Sequence, residues 1–176
     1  MRFFAVQVLT GHEGKFVDAA RRLIAPEKGR VFWPRRSLRI RKAGKWRDSL
    51  APVFAGYVFF QLDAIEPELY RGLKEESRFV RFLPSNDRVR PLDGNDLEIL
   101  SHFISFGEIL DRSRVLFDED NRIRVISGPL KGLEGRITKV DRRKRRARVR
   151  LSMYESSFEI DFGFDHIEPE KQHTGV

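Results

Sequence analysis

From Asp141 to Leu151 the chain reads Asp-Arg-Arg-Lys-Arg-Arg-Ala-Arg-Val-Arg-Leu. Arg142, Arg143, Lys144 and Arg145 have the look of a turn. Beyond it, strand alternation sends Ala147, Val149 and Leu151 to one face and Arg146, Arg148 and Arg150 to the other. A row of guanidinium groups at this spacing can grip successive phosphates by bidentate hydrogen bonds and release condensed counterions. Arg136 and Lys139 on the preceding segment would extend the patch. The stretch from Glu155 to Glu170 carries only acidic charges, so the same arginines could instead pair across neighbouring strands with Glu155, Glu159 and Asp161.

A second basic protrusion runs from Arg35 to Leu50 and carries Arg39, Arg41 and Lys42 on one side of Ala43-Gly44. Trp46 lies within it, either free to stack on a nucleic-acid base or folded onto Leu38 or Ile40. A third feature is apolar. Phe54-Ala55-Gly56-Tyr57-Val58-Phe59-Phe60 holds more aromatic side chains than one strand usually buries on a single face. Alternation directs Tyr57 and Phe59 one way, Val58 and Phe60 the other. Either the strand is covered on both sides, or one set must find another helix or another protein.

Catalysis finds little footing. His12, His102, His166 and His173 are scattered, with no metal-ligand spacing. No phosphate-binding loop, nucleophile elbow or dinucleotide fingerprint occurs, and no carboxylate constellation stands apart from surface charge. The expectation is a binding protein, not an enzyme, with no catalytic residues, metal or cofactor.

The bulk properties agree. With 34 Lys and Arg against 26 Asp and Glu, the formal net charge of the 176 residues is +8, which favours partners rich in phosphate or carboxylate. There is no cysteine, hence no disulfide framework and no thiolate metal site. Met1-Arg2-Phe3-Phe4 opens without a long apolar leader, and no run approaches a membrane span. A cytoplasmic protein is expected.

The elements that must position these residues follow from periodicity. Phe3 to Leu9 reads as a buried strand, Glu13 to Ala25 as a helix stopped by Pro26, and Val31-Phe32-Trp33 as a short strand. The segments flanking Ala43-Gly44 form a hairpin, and Tyr57 to Leu62 a second apolar strand. Pro67 to Ser77 is helical, Phe79 to Leu83 extended, and Asp93 or Asn95 caps a helix to about Phe106. This order predicts an α+β domain over residues 1–107, helices packed on an antiparallel sheet. Residues 108–120 lose periodicity and read as a linker. From 121 to 170 come five short strands, Ile123 to Ile126, Leu133 to Val140, Arg146 to Leu151, Ser157 to Phe162 and Ile167-Glu168, the pattern of a small β-barrel. The polar tail after Pro169 is expected to lack order.

Two stretches together resemble one family. Ser127-Gly128-Pro129-Leu130-Lys131-Gly132-Leu133-Glu134-Gly135 with Val140-Asp141 resembles a KOW motif. Phe4 to Val8, Pro52 to Val58, and Phe79 to Leu83 with Pro91-Leu92 resemble the NGN domain of the NusG family of transcription factors. The resemblance spans nearly the whole chain in the family's order. It implies an NGN domain that docks an apolar pocket on the clamp helices of RNA polymerase and favours processive elongation. By position in the motif, Phe4, Phe54 and Tyr57 would line that pocket. The basic hairpin would face upstream or non-template DNA. The KOW domain would recruit RNA, a ribosomal protein or a termination factor.

The sequence also departs from the general family pattern. Where general NusG proteins carry Phe-Gly-Arg and Thr-Pro-Val-Glu after the third barrel strand, this chain has Ser152-Met153-Tyr154-Glu155-Ser156-Ser157-Phe158-Glu159. Ala55 replaces a common proline. Leu130-Lys131-Gly132 and Asp141 to Ala147 are more similar to LoaP, a specialised antitermination paralogue whose KOW domain contacts an RNA hairpin. The resulting expectation is a monomeric, LoaP-like elongation and antitermination factor, with Arg142 to Arg146, Arg148 and Arg150 on RNA. The alternative is a free-standing RNA-binding or ribosome-associated KOW protein.

Overall fold

A computed structural model of the chain describes residues 1–168. Over those residues it holds three α-helices and twelve strands, an α+β arrangement in two modules. The expected disorder after Pro169 lies outside the described residues.

The first module is built on a four-stranded antiparallel sheet in the order β2 (Gly29–Phe32), β5 (Tyr57–Leu62), β1 (Arg2–Val8), β6 (Phe79–Phe82). β1 and β5 are central and almost wholly apolar, and both their faces are buried. One face carries Phe4, Val6, Val8, Val58, Phe60 and Leu62. It packs on α1 (Glu13–Leu23) through Phe16, Val17 and Ala20, and on α2 (Pro67–Glu75) through Leu73. The helical spacing of those side chains makes an apolar stripe that must be buried. The other face carries Ala5, Tyr57 and Phe59 and is covered by α3 (Gly94–Ile104) through Ile99, Leu100 and Phe103. Asp93 takes the N-cap position of α3, but its side chain makes no capping hydrogen bond.

The hairpin forms as expected: β3 (Arg35–Lys42) pairs with β4 (Lys45–Pro52) in register from Arg35↔Pro52 to Lys42↔Lys45. Only Ala43 and Gly44 intervene, with φ of +50° and +76°, the left-handed pair of a type I′ turn that matches the twist of the strands.

The second module is a curled five-stranded sheet in the order β10 (Ile137–Asp141), β11 (Arg146–Met153), β12 (Ser156–His166), β8 (Ser113–Phe117), β9 (Ile123–Ser127). Its fifth strand differs from the expectation. Residues 108–120 are not a structureless linker: they contain β7 (Ile109–Leu110), parallel to β3, and β8, parallel to β12 and antiparallel to β9. Ile167-Glu168 forms no strand, although the Ile167 amide donates to the Val115 carbonyl at 2.9 Å. β8 (Ser-Arg-Val-Leu-Phe) buries only Ser113 and Val115 fully, with Leu116 and Phe117 half-buried, too short an alternation to mark a strand between charged flanks. The loop before the 3-10 turn Glu134–Arg136 depends on Gly128, whose φ is +97° and whose added Cβ would meet the Ser113 Cα at 2.7 Å. That close approach lets the Ser113 hydroxyl accept from the Leu130 amide at 2.9 Å and seats Leu130 in the barrel core.

Candidate functional site

The aromatic surplus of the first module is covered from within the chain. Phe54 and Tyr57 are 1% and 6% exposed, and the ring that closes over both is Phe158 of β12, in the second module. Its centroid lies 5.4 Å from Phe54 and 5.3 Å from Tyr57, both edge-to-face, the geometry the ring quadrupoles favour. Phe54 also meets Phe59 at 5.8 Å and Phe103 at 5.9 Å, and Phe103 stacks on Phe162 of β12 at 5.4 Å. The buried residues of this face and of the barrel therefore form one continuous apolar cluster.

Glu13 sets the turn that presents these rings. Its buried carboxylate, in the first turn of α1, accepts from the Gly56 amide at 2.8 Å, where the helix dipole also favours negative charge. Gly56 has φ of +79°, and a Cβ there would meet the Thr10 hydroxyl oxygen at 2.9 Å.

Phe4 is elsewhere. It is buried on the opposite face of the sheet among the residues under α1 and α2, with the Arg2 guanidinium 5.7 Å from its ring centroid. Strand parity explains this: Phe4 is opposite Phe60 in the register, while Ala5 is opposite Phe59. The apolar set presented to the barrel is Phe54 and Tyr57 without Phe4.

Polar contacts frame the aromatic seal. The Arg36 guanidinium donates to the carbonyls of Asp161 and Pro52 and lies 5.9 Å from the Phe162 ring centroid. Burial pulls its pKa down to about 10, with Asp161 opposing the drop and Arg146 adding to it, so it stays charged at neutral pH. Arg112 bridges Asp48 of the hairpin at 2.6 Å and Asp165 of β12 at 3.1 Å. His102 Nε2 lies 2.7 Å from the Pro129 carbonyl oxygen, the Tyr154 amide donates to Asp96 at 3.0 Å, and Arg136 donates to Asn95 at 3.3 Å. At the crossing of β12 and β3, a Cβ on Gly163 would meet the Ser37 carbonyl oxygen at 2.8 Å, so only glycine permits this approach of the two backbones. Nothing in the sequence marks Glu13, Arg112 or Gly163 for these roles. Each acts across a sequence distance that local pattern does not encode.

The basic residues divide into two groups. Arg143, Lys144 and Arg145 are exposed at the β10–β11 turn, whose Asp141 carboxylate accepts from the Lys144 amide at 2.8 Å. Arg142 is exposed too, but its guanidinium covers the Phe117 ring at 4.1 Å and donates to Asn121 at 2.9 Å. Arg146, Arg148 and Arg150 do share the face opposite Ala147, Val149 and Leu151. The register places Arg148 opposite Asp161 and Arg150 opposite Glu159, and both pairs close, at 2.7 Å each. Arg146 reaches across to the hairpin and donates to the Arg39 carbonyl at 3.0 Å. On the hairpin, Trp46 is 42% exposed with the Arg39 guanidinium 5.6 Å from its centroid, and Arg41 and Lys42 are exposed at the tip.

The hydrogen bond from Arg148 holds the Asp161 carboxyl below its ordinary value of 3.8. A carboxylate lowered in the folded state contributes stability above its unfolded pKa and loses it as the pH falls through the folded one. The pair's contribution should therefore be full and independent of pH near neutrality, with thermal melting declining below about pH 4. Asp161→Asn should flatten that acid limb; an unchanged limb would remove the pair from the account.

Among the described residues no group of three or more His, Asp or Glu side chains is arranged to hold a metal ion, and no helix is long and apolar enough to cross a membrane.

Comparison with known proteins agrees with this two-module build. Residues 1–101 match the family model described as transcription termination factor NusG, and residues 119–152 match the KOW motif. The chain is 24% identical over 181 aligned residues to the transcription termination/antitermination protein NusG of Xylella fastidiosa, covering 95% of this chain and 98% of that protein. It is 26% identical over 176 residues to the protein of the same name from Buchnera aphidicola, covering 95% of each. A solved structure described as domain interaction in Thermotoga maritima NusG shares the fold, with a TM-score of 0.58, 17% identity and coverage of 92% of this chain and 93% of that one. With its NusG amino-terminal domain followed by a KOW barrel, the chain belongs to the NusG family of transcription termination and antitermination factors, which are not enzymes.

Proposed function

We propose that this chain is a specialised NusG-type factor that docks on RNA polymerase through the face built by Phe54 and Tyr57, promotes elongation and antitermination, and keeps that face under its own barrel until polymerase is engaged. The observation that carries this reading is the aromatic seal. Two of the three rings that the family resemblance assigns to docking, Phe54 and Tyr57, are covered by Phe158, a side chain of the other module. An apolar face of this kind needs a cover, and a cover joined through a connecting segment can be exchanged for a partner of similar chemistry.

The barrel supplies the RNA contact in this reading. Arg143, Lys144 and Arg145 are exposed at the β10–β11 turn. Arg142 is exposed on one side, and the ion pairs of Arg148 and Arg150 are surface pairs, screened by solvent and readily exchanged for phosphate. Arg39, Arg41 and Lys42, with Trp46, form the hairpin edge suited to DNA or RNA backbone. The LoaP-like character rests on Leu130-Lys131-Gly132 and the Asp141 to Ala147 run, together with the departure over Ser152 to Glu159.

Transcription of a template bearing an intrinsic terminator tests the proposal. Added protein should raise read-through by the cognate polymerase; no change in read-through or pausing would overturn it. Reversing charge at Lys144 and Arg145 should weaken binding to an RNA hairpin and lower the log–log salt slope by about 0.7–0.9 for each phosphate no longer neutralised. A slope that stays put would take these two residues out of the RNA interface.

A further inference from the structure

We propose that the outer face of the barrel holds a seat for one backbone phosphate of a nucleic acid, built by Lys139, Lys144, Arg146 and Arg148, so that binding centres on one phosphate and is not spread evenly over the basic turn. The proposal rests on the nucleic-acid reading above. It adds where on the barrel, and through which group of the ligand, the contact is made.

Strand register assembles the seat within the barrel. Between β10 and β11, Lys139 stands opposite Arg148 and Asp141 opposite Arg146. Between β11 and β12, Arg148 stands opposite Asp161. Residues directly opposite share a face, so these side chains fall in two rows about 7 Å apart, two strand residues at about 3.4 Å each. Lys144 joins them from the β10–β11 turn. Together Lys139, Asp141, Lys144, Arg146, Arg148 and Asp161 line a cavity of about 70 Å³. Pockets for drug-sized ligands begin at about 300 Å³; this one suits a phosphate group and not a nucleoside.

Four cations meet two carboxylates there, and both carboxylates are engaged inside the barrel. Asp161 takes Arg148 with both oxygens, Oδ1 from Nε at 2.7 Å and Oδ2 from Nη2 at 3.2 Å, which leaves Nη1 uncommitted. Asp141 accepts from the Lys144 amide at 2.8 Å, which fixes the turn that carries the Lys144 side chain. Arg146 donates one Nη to the Arg39 carbonyl, and its buried Nε has no hydrogen-bond partner. Among the described residues neither Lys139 nor Lys144 forms an ion pair. Donors from two ammonium and two guanidinium groups thus border one small cavity, and an oxyanion satisfies several of them at once by charge-assisted hydrogen bonds. Arg143 and Arg145 are exposed on the same turn. That continuation suits a chain of regularly spaced anions, as a nucleic-acid backbone is, better than a lone carboxylate.

The test uses the full chain and an internally labelled RNA hairpin without terminal phosphates, so that only backbone phosphates are offered. Binding is read by anisotropy over a salt series. Lys139→Gln and Arg143→Gln each remove one exposed charge, the first inside the seat and the second outside it. Lys139→Gln should weaken binding by about tenfold, the scale of one charge-assisted hydrogen bond, and lower the log–log salt slope by about 0.7–0.9. Lys144→Gln should repeat the loss, whereas Arg143→Gln should cost about twofold, as a screened surface charge. Because the Lys139 side chain is exposed and forms no ion pair, thermal melting of Lys139→Gln should match the wild type. Equal losses from Lys139→Gln and Arg143→Gln would overturn the seat and leave the nucleic-acid reading intact, with contacts spread over the turn. Failure of the wild-type chain to bind would defeat both together. A DNA hairpin of equivalent sequence should show the same tenfold loss with Lys139→Gln, because the seat takes phosphate and makes no demand on the sugar. A loss confined to RNA would contradict phosphate recognition and put the 2′-hydroxyl in its place.

Discussion

Phe158→Ala is expected to raise the affinity of the full-length chain for an RNA polymerase elongation complex by about 5- to 100-fold. The variant loses two edge-to-face pairs, with Phe54 and with Tyr57, each worth about 0.5–1.5 kcal/mol. A total of roughly 1–3 kcal/mol is transferred to the closed-to-open equilibrium, at about 1.4 kcal/mol per tenfold. If docking requires an uncovered face, the apparent dissociation constant varies inversely with the open fraction and falls as that fraction rises. Phe158 is itself only half-buried at the edge of β12. The barrel keeps Val115, Val125, Leu130, Val149, Leu151 and Phe164 as its own interior, so its fold should survive. Titration of fluorescent protein against elongation complex measures the gain. Unchanged affinity would mean that Phe158 does not limit docking.

Phe54→Ala should behave quite differently, lowering stability by about 3–5 kcal/mol, the range for removing a large ring from a core. Phe54 is 1% exposed and meets Phe59 and Phe103 inside its own module before it meets Phe158. The cavity left behind lies between β5 and α3, where Leu100 and Phe103 are fully buried and held by their own packing, so relaxation is limited. Denaturant unfolding should show the midpoint fall with little change in slope. A cost below about 1 kcal/mol would place Phe54 outside the core, contrary to its burial. Because Phe54 is structural as well as presented to the barrel, Tyr57 is the better probe of docking.

What the sequence carried, and what it did not, divides by distance along the chain. The β3–β4 hairpin was legible because Gly44, which takes the positive φ of its turn freely, stands between two alternating strands, while Ala43 adopts φ +50° without signalling it. The excess of aromatic residues from Phe54 to Phe60 was legible as a face in need of a cover. Its cover was not, because Phe158 lies about a hundred residues further on and only the fold brings it there. Phe158 does fall within Ser152 to Glu159, the stretch where the chain departs from the general family pattern, and the departure gains a physical meaning from the seal it makes. The arginine face on β11 followed from alternation alone. Whether those arginines were paired depended on register, which sets Arg148 and Arg150 opposite Asp161 and Glu159. Position in the motif groups Phe4 with Phe54 and Tyr57, whereas one residue of strand parity sets it on the other face of the sheet. β8 does not stand out from a connection because its five residues, Ser-Arg-Val-Leu-Phe, alternate only over Ser113 to Val115.

The central claim is that the Phe54–Tyr57 face docks on polymerase and that the barrel covers it. It is tested most directly by adding Tyr57→Ala to the opened Phe158→Ala chain and measuring binding of both to the elongation complex. In that background Tyr57 no longer touches Phe158, so any loss reports docking and not closure. The account predicts that Phe158→Ala binds more tightly than the wild type and that the double variant loses that binding by about tenfold or more while remaining folded. Equal binding by the single and double variants would contradict it, and the covered face would then be an internal core with no part in engaging polymerase.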